Sequence, residues 1–427
     1  MLIRLATIDP PRPRLRVPQP RLHAMSLLPW RAAVLAVLLL PWFQGCVPVR
    51  TREAPLPEAL AEEAHIPGIP RARYWGDVVP RGFAEWLALP DDELQARFGG
   101  VMHRSHEYLL VSGGGSDGAF GAGLLVGWSY AGNRPDFEMV TGISTGALIA
   151  PFAFLGPAYD ERLREVYTRY STDDLVVGRG PISVLRGDAA VDTAPLRRLI
   201  EKYIDDPVVS AIAAEARKGR SLLIGTTHID AARPVIWDIT AIAASGQPGS
   251  ARLIHDVILA SASIPGAFPP VLIEVEAGGR RYSEMHVDGG VTAQLFLGPA
   301  GLDWGHVRER LDVEGVPSLY LIRNSRLSTG WKTVEPRLAP IITRTISTLI
   351  RNQGIGDMAR IYIDAAREGL DFNLARIPAD FDREPEEAFD PDYMRALFER
   401  GYQLGRGGYP WIKGAVDEAA ADGPLDP

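Results

Sequence analysis

Two short apolar segments, each cut off by glycines and followed at once by a helix-length run, constrain this chain most. Glu107-Tyr-Leu-Leu-Val-Ser112 enters Gly113-Gly114-Gly115-Ser116-Asp117-Gly118, and Ala119–Tyr130 then has helical character. Phe137–Thr141 enters Gly142-Ile143-Ser144-Thr145-Gly146, and Ala147–Leu155 is again an apolar helix. Short apolar runs without alternation read as strands buried on both faces, and glycine punctuates a tight passage into the helix. Ser221–Thr227 and Pro234–Ile239 read as further strands and Leu253–Ala262 as a helix. Val271–Val275 and Arg281–Val287 read as a hairpin closing across Ala277-Gly278-Gly279, and Ser318–Arg323 as another buried strand. Strands alternating with helices predict an α/β fold whose mostly parallel sheet is covered on both faces. Ile341–Gln353, Gly356–Glu368 and Asp392–Leu404 are expected to be helices packed on that core.

Three glycine-framed sites carry the chemistry. The first is Gly142-Ile143-Ser144-Thr145-Gly146, in which a sharp strand-to-helix turn lifts a serine hydroxyl out of the sheet and aims a helix N-terminus at it. The second is Gly113–Gly118, whose consecutive glycines let backbone N–H groups converge on an anion, such as the oxyanion of an acyl-transfer intermediate. A nucleotide-phosphate loop is disfavoured there, because the lysine of G-x-x-x-x-G-K-[ST] is missing. The third is His286-Val287-Asp288-Gly289-Gly290 at the end of a strand, where a carboxylate could approach a serine closely. An exposed Asp is a feeble base, so Asp288 would have to be partly desolvated to serve as one.

Glycine loop, G-x-S-x-G and D-G-G in that order resemble the patatin-like phospholipases over roughly residues 107–323, including Ala260-Ser-Ala-Ser-Ile-Pro-Gly-Ala-Phe-Pro269. The resemblance implies a three-layer α/β/α fold and hydrolysis of lipid acyl esters through an acyl-enzyme, without metal or other cofactor. By position it implies Ser144 as nucleophile, Asp288 as base without a histidine, and an oxyanion hole lined by Gly114, Gly115 and Ser116. Many members carry Arg or Lys where this chain has Asp117, which leaves the oxyanion to backbone dipoles. His286 lies two residues before Asp288, on the same strand face, and is expected near the site without being the base. His103 and His106 have no third ligand at matching spacing and are expected to be exposed polar residues.

The ends of the chain add an address. Six Arg against one Asp in residues 1–45 leave the rest of this net −8 chain at −13, a poor partner for nucleic acid. Arg31 is followed by the apolar Ala32–Leu40, too short to span a bilayer, and then by Gly45-Cys46, with the only cysteine of the chain. Residues 1–46 thus read as a signal peptide, its start possible at Met25, ending in a junction that resembles a bacterial lipobox with Cys46 lipidated. Residues 47–70 read as a Pro-rich tether, 71–340 as the catalytic domain and 341–427 as a helical extension. The expected location is the cell envelope, lipid-anchored to a membrane, with a lipid or phospholipid as substrate. A thioesterase or lysophospholipase using the same two residues, and a non-catalytic lipid-binding lipoprotein, are the competing functions.

Overall fold

The computed structural model describes residues 52, 54–178, 189–327, 331 and 333–414. The signal-peptide and Cys46 expectations fall outside the described residues.

Nine strands form one mixed sheet: β1 (Arg73–Trp75), β2 (Glu107–Val111), β3 (Met139–Ile143), β4 (Ser221–His228), β5 (Arg233–Asp238), β6 (Val271–Ala277), β7 (Arg280–Asp288), β8 (Ser318–Arg323) and β9 (Asp371–Arg376). Their order is β1-β5-β4-β3-β2-β8-β9, and β4, β3, β2, β8 and β9 run parallel. β5 and β1 continue the sheet antiparallel at one side. The β6–β7 hairpin attaches through the last residues of β4. Side chains alternate between two cores, as the period of a strand requires. Leu109 and Val111 of β2 join the core under α1 (Gly118–Tyr130), α2 (Thr145–Leu155), α3 (Ser250–Ser261) and α5 (Pro391–Arg406). Tyr108 and Leu110 join the opposite core with Met358, Ile361 and Ala365 of α4 (Leu338–Glu368). The fold is α/β in three layers.

α1 is apolar on every side and is buried from Gly118 to Trp128, as an all-round hydrophobic helix must be. It achieves this by backbone contact with α5: a Cβ on Gly123 would stand 2.0 Å from the Phe398 carbonyl oxygen, and one on Gly405 2.3 Å from that of Leu124.

Three expectations for the chain ends need correction. The supposed tether is docked from residue 54 onward: Pro55 bridges Ser283, His65 bridges Glu276 and Ile66 and Ile69 are buried. The open edges of the β6–β7 hairpin account for this, Glu276 on β6 and Ser283 on β7, because they offer backbone groups that need partners. The two helices expected at 341–353 and 356–368 are one, and the expected boundary at residue 340 falls inside it. Gly354 does not break that helix but makes room, since a Cβ there would lie 1.6 Å from the buried Arg323 guanidinium. Finally, the C-terminal segment contributes a strand as well as helices: β9 pairs with β8 over six residues.

Candidate active site

The sheet register brings the two glycine-framed turns together. β3 ends at Ile143, opposite Gly225 of β4, and β7 ends at Asp288, opposite the next β4 residue, Thr226. One strand running parallel and one antiparallel therefore meet head to head along one edge of β4. Ser144 leaves β3 at that meeting point with φ +56°, a left-handed conformation rare for a residue with a side chain. Its flanking glycines are required by contact: a Cβ on Gly146 would sit 2.2 Å from the Val111 carbonyl oxygen, and one on Gly142 2.4 Å from that of Gly146. The strained turn directs the hydroxyl at Asp288, and Ser144 Oγ donates to Asp288 Oδ2 at 2.7 Å.

Asp288 is held on three sides. Its Oδ1 accepts from the Gly290 N–H at 2.7 Å, and its own N–H donates to the Ser263 carbonyl at 2.9 Å. The side chain is nearly inaccessible, and burial pushes its pKa up to about 6, against the lowering effect of the Ser144 and Gly290 hydrogen bonds. A carboxylate so desolvated is a better proton acceptor than an exposed one while remaining largely ionised at neutral pH.

Ser261 is a positioning residue that the sequence reading missed. Its hydroxyl accepts from the Ser144 N–H at 2.9 Å and donates to the Gly225 carbonyl at 2.7 Å, tying the serine turn to β4. It lies in the segment Ala260–Pro269, but the only sequence signal was the likeness of that segment to a family pattern, which assigned no role to the serine.

The glycine loop lies against the nucleophile. A Cβ on Gly113 would stand 3.2 Å from the Ser144 Cβ. Gly114 rests on Asn324, whose carbonyl oxygen a Cβ would meet at 1.6 Å. Asn324 clamps the loop base: its N–H donates to Ser112 Oγ at 2.8 Å, its Nδ2 to the Ser112 carbonyl at 3.1 Å, and its Oδ1 accepts from the Gly121 N–H at 3.0 Å. Gly115 adopts φ +59° and borders open space. Gly115–Asp117 form the single 3₁₀ turn that leads into α1, where first-turn N–H groups lack helical acceptors. Gly114, Gly115 and Ser116 thus stand at a helix entrance, directly after the glycine that abuts Ser144. Asp117 turns away from the serine. Its carboxylate accepts from the Tyr393 hydroxyl of α5 at 2.5 Å, and burial raises its pKa to about 6.

The histidines are occupied elsewhere. His286 is fully buried and packs on His228 and Trp237. Thr226 Oγ1 accepts from Trp237 Nε1, which assigns its own proton to His286 Nδ1 at 3.0 Å; His286 Nε2–H then donates to Glu284 at 3.1 Å. Burial lowers its pKa to about 4, so the ring is neutral. His106 is not exposed as expected but buried, with Nε2 on the Val101 carbonyl and Nδ1 against the Tyr108 hydroxyl. Tyr108 of the strand it precedes packs edge-on against its ring. His103 is exposed and pairs with Asp312.

Residues 109–300 match the family model of the patatin-like phospholipases. No curated protein is similar enough to count as a match. Among solved structures, VipD from Legionella pneumophila aligns at 11% identity and TM-score 0.32, over 71% of this chain and 66% of that one. The chain therefore spans slightly less than two thirds of that protein's length.

Proposed function

We propose that the chain is a serine acyl hydrolase of lipase or phospholipase A type, working through a Ser144–Asp288 dyad. The 2.7 Å hydrogen bond from Ser144 Oγ to a buried Asp288 carboxylate carries this reading. Asp288 takes the Oγ proton as Oγ attacks the ester carbonyl carbon. The tetrahedral oxyanion is met by N–H groups of Gly114, Gly115 and Ser116. The bond from carbon to the leaving oxygen then breaks, and Asp288 returns the proton to the departing alcohol. Water attacks the acyl-enzyme next: Asp288 accepts its proton, the fatty acid leaves, and Ser144 Oγ is reprotonated. The reading extends to an anchor on Cys46 that keeps the enzyme on the membrane of the cell envelope holding its lipid substrate.

The test is active-site labelling by a fluorophosphonate together with fatty-acid release from phospholipid. Both should occur in the natural chain and vanish in Ser144→Ala. Labelling that persists in Ser144→Ala would overturn the assignment.

A further inference from the structure

α4 carries two different faces along its length. In its C-terminal half Met358, Ile361 and Ala365 are buried against the sheet. In its N-terminal half Leu338, Ile341, Ile342, Ile346, Leu349 and Ile350 are all exposed, Leu338 at 76% and Leu349 at 64%. At about 100° per residue these six fall within an arc of about 180°, centred nearly opposite the buried face. Single exposed aliphatics are ordinary on a protein surface, but six within one stretch about 20 Å long form a patch that needs an occupant. Elsewhere among the described residues, exposed large hydrophobics come no more than two together in sequence.

Three observations say what that occupant is. Residues 109–300 match the patatin-like phospholipase model, whose substrates are lipids. Between residues 336 and 356 the charged residues are Arg337, which pairs with Glu335 just before it, Arg344 and Arg351, with no Asp or Glu, in a chain of net charge −8. Such a basic apolar helix suits an anionic lipid surface, and among the described residues no helix is long and apolar enough to cross a membrane. The patch also leads into the site: Gln353 Nε2 donates to the Val291 carbonyl, three residues beyond Asp288, and Val291 is itself exposed.

We infer that the N-terminal half of α4, Leu338–Ile350, is an interfacial helix that lies on an anionic bilayer and sets the Ser144 site against it. The inference rests on the lipid-hydrolase reading and extends it from the chemistry to the surface on which the chemistry occurs. The helix enters the acyl–headgroup boundary with its aliphatic face, while its arginines stay at headgroup level.

An environment-sensitive fluorophore tests this in the full chain, attached at Ile346→Cys or Ser347→Cys in a Cys46→Ser background. Vesicles of phosphatidylcholine with phosphatidylglycerol should blue-shift the probe at 346 and leave that at 347, on the other face, largely unmoved. Phosphatidylcholine alone should give a weaker shift. No shift at 346, or equal shifts at both positions, would overturn the inference. So would a probe at 346 already shielded without vesicles in a chain that sediments as a dimer, because a second copy would then cover the face. The paired variant Ile346→Asp/Leu349→Asp should lower turnover on those vesicles relative to that on a short soluble ester by about tenfold or more. An unchanged ratio also counts against the helix. Natural protein that hydrolyses neither substrate would refute the catalytic reading, while the probe would still report on docking.

Discussion

Burial holds the Asp288 carboxyl at a pKa of about 6 against an ordinary 3.8, so the ionised form that the reaction needs is one that folding disfavours. The consequence for stability follows from linkage. Below about pH 4 the carboxyl is protonated in both the folded and the unfolded chain and contributes little of either sign. As pH rises from about 4 to 6 the unfolded chain releases its proton first, and the folded state loses stability. Above about pH 6 the loss is complete, at about 3 kcal/mol for a gap of roughly two pH units at 1.36 kcal/mol each. Asp288→Asn removes the charge while keeping the shape. Its Oδ1 can still accept from the Gly290 N–H, and its amide can donate to Ser144 Oγ. The variant should therefore be inactive yet more stable than the natural protein by about 1–3 kcal/mol near pH 8, with the gain shrinking towards zero near pH 4. Urea denaturation of both proteins across that range measures it. In the same window the kcat/KM of the natural enzyme should fall as pH drops through about 6, because protonated Asp288 cannot accept the serine proton. An Asn variant less stable at every pH, or a gain that does not vary with pH, would refute the claim that Asp288 is a desolvated base.

Three further outcomes follow from other parts of the site. Gly115→Ala adds a Cβ in open space at φ +59°, so it should cost only about 1–2 kcal/mol in thermal denaturation. Re-aimed loop amides should nonetheless lower kcat by about 10²-fold, and parallel losses of fold and rate would make the loop merely structural. His286→Gln should lower the melting temperature, because Thr226 and Glu284 each lose one of their hydrogen bonds, while the folded enzyme keeps most of its kcat. A variant as inactive as Ser144→Ala would instead make His286 part of the machinery. If Cys46 is the anchor, intact-mass analysis of membrane-extracted protein should find a chain beginning at a diacylated Cys46; an unmodified N-terminus at Met1 would exclude it.

How far the sequence carries this account depends on what each residue does. Strands β2, β3, β4 and β8 were legible because they are short, apolar and cut off by turns, and the serine turn because Gly142 and Gly146 are dictated by contacts that leave no room for a side chain. β9 was not legible, because Asn373 and Arg376 are buried at positions where a strand pattern would be apolar. Ser261 was hidden for a related reason: its work is done on the backbone of Ser144 and Gly225, and nothing in its neighbours marks such a bond. The docking of residues 54–70 depends on open edges of the β6–β7 hairpin that only the folded sheet provides. Likewise the meeting of Ser144 with Asp288 is a matter of register along β4, which spacing in the sequence does not encode.

The central claim is that Ser144 becomes acylated with Asp288 as its base, and the acyl-enzyme itself is the species to measure. Mixing the enzyme with a slowly deacylating activated ester, quenching in acid and taking the intact mass should show one added acyl group, mapped after digestion to the peptide bearing Ser144. Asp288→Asn should accumulate that adduct slower by about 10²-fold or more. An adduct on any other residue, turnover with Ser144 left unmodified, or an undiminished rate of acylation in Asp288→Asn would contradict the dyad.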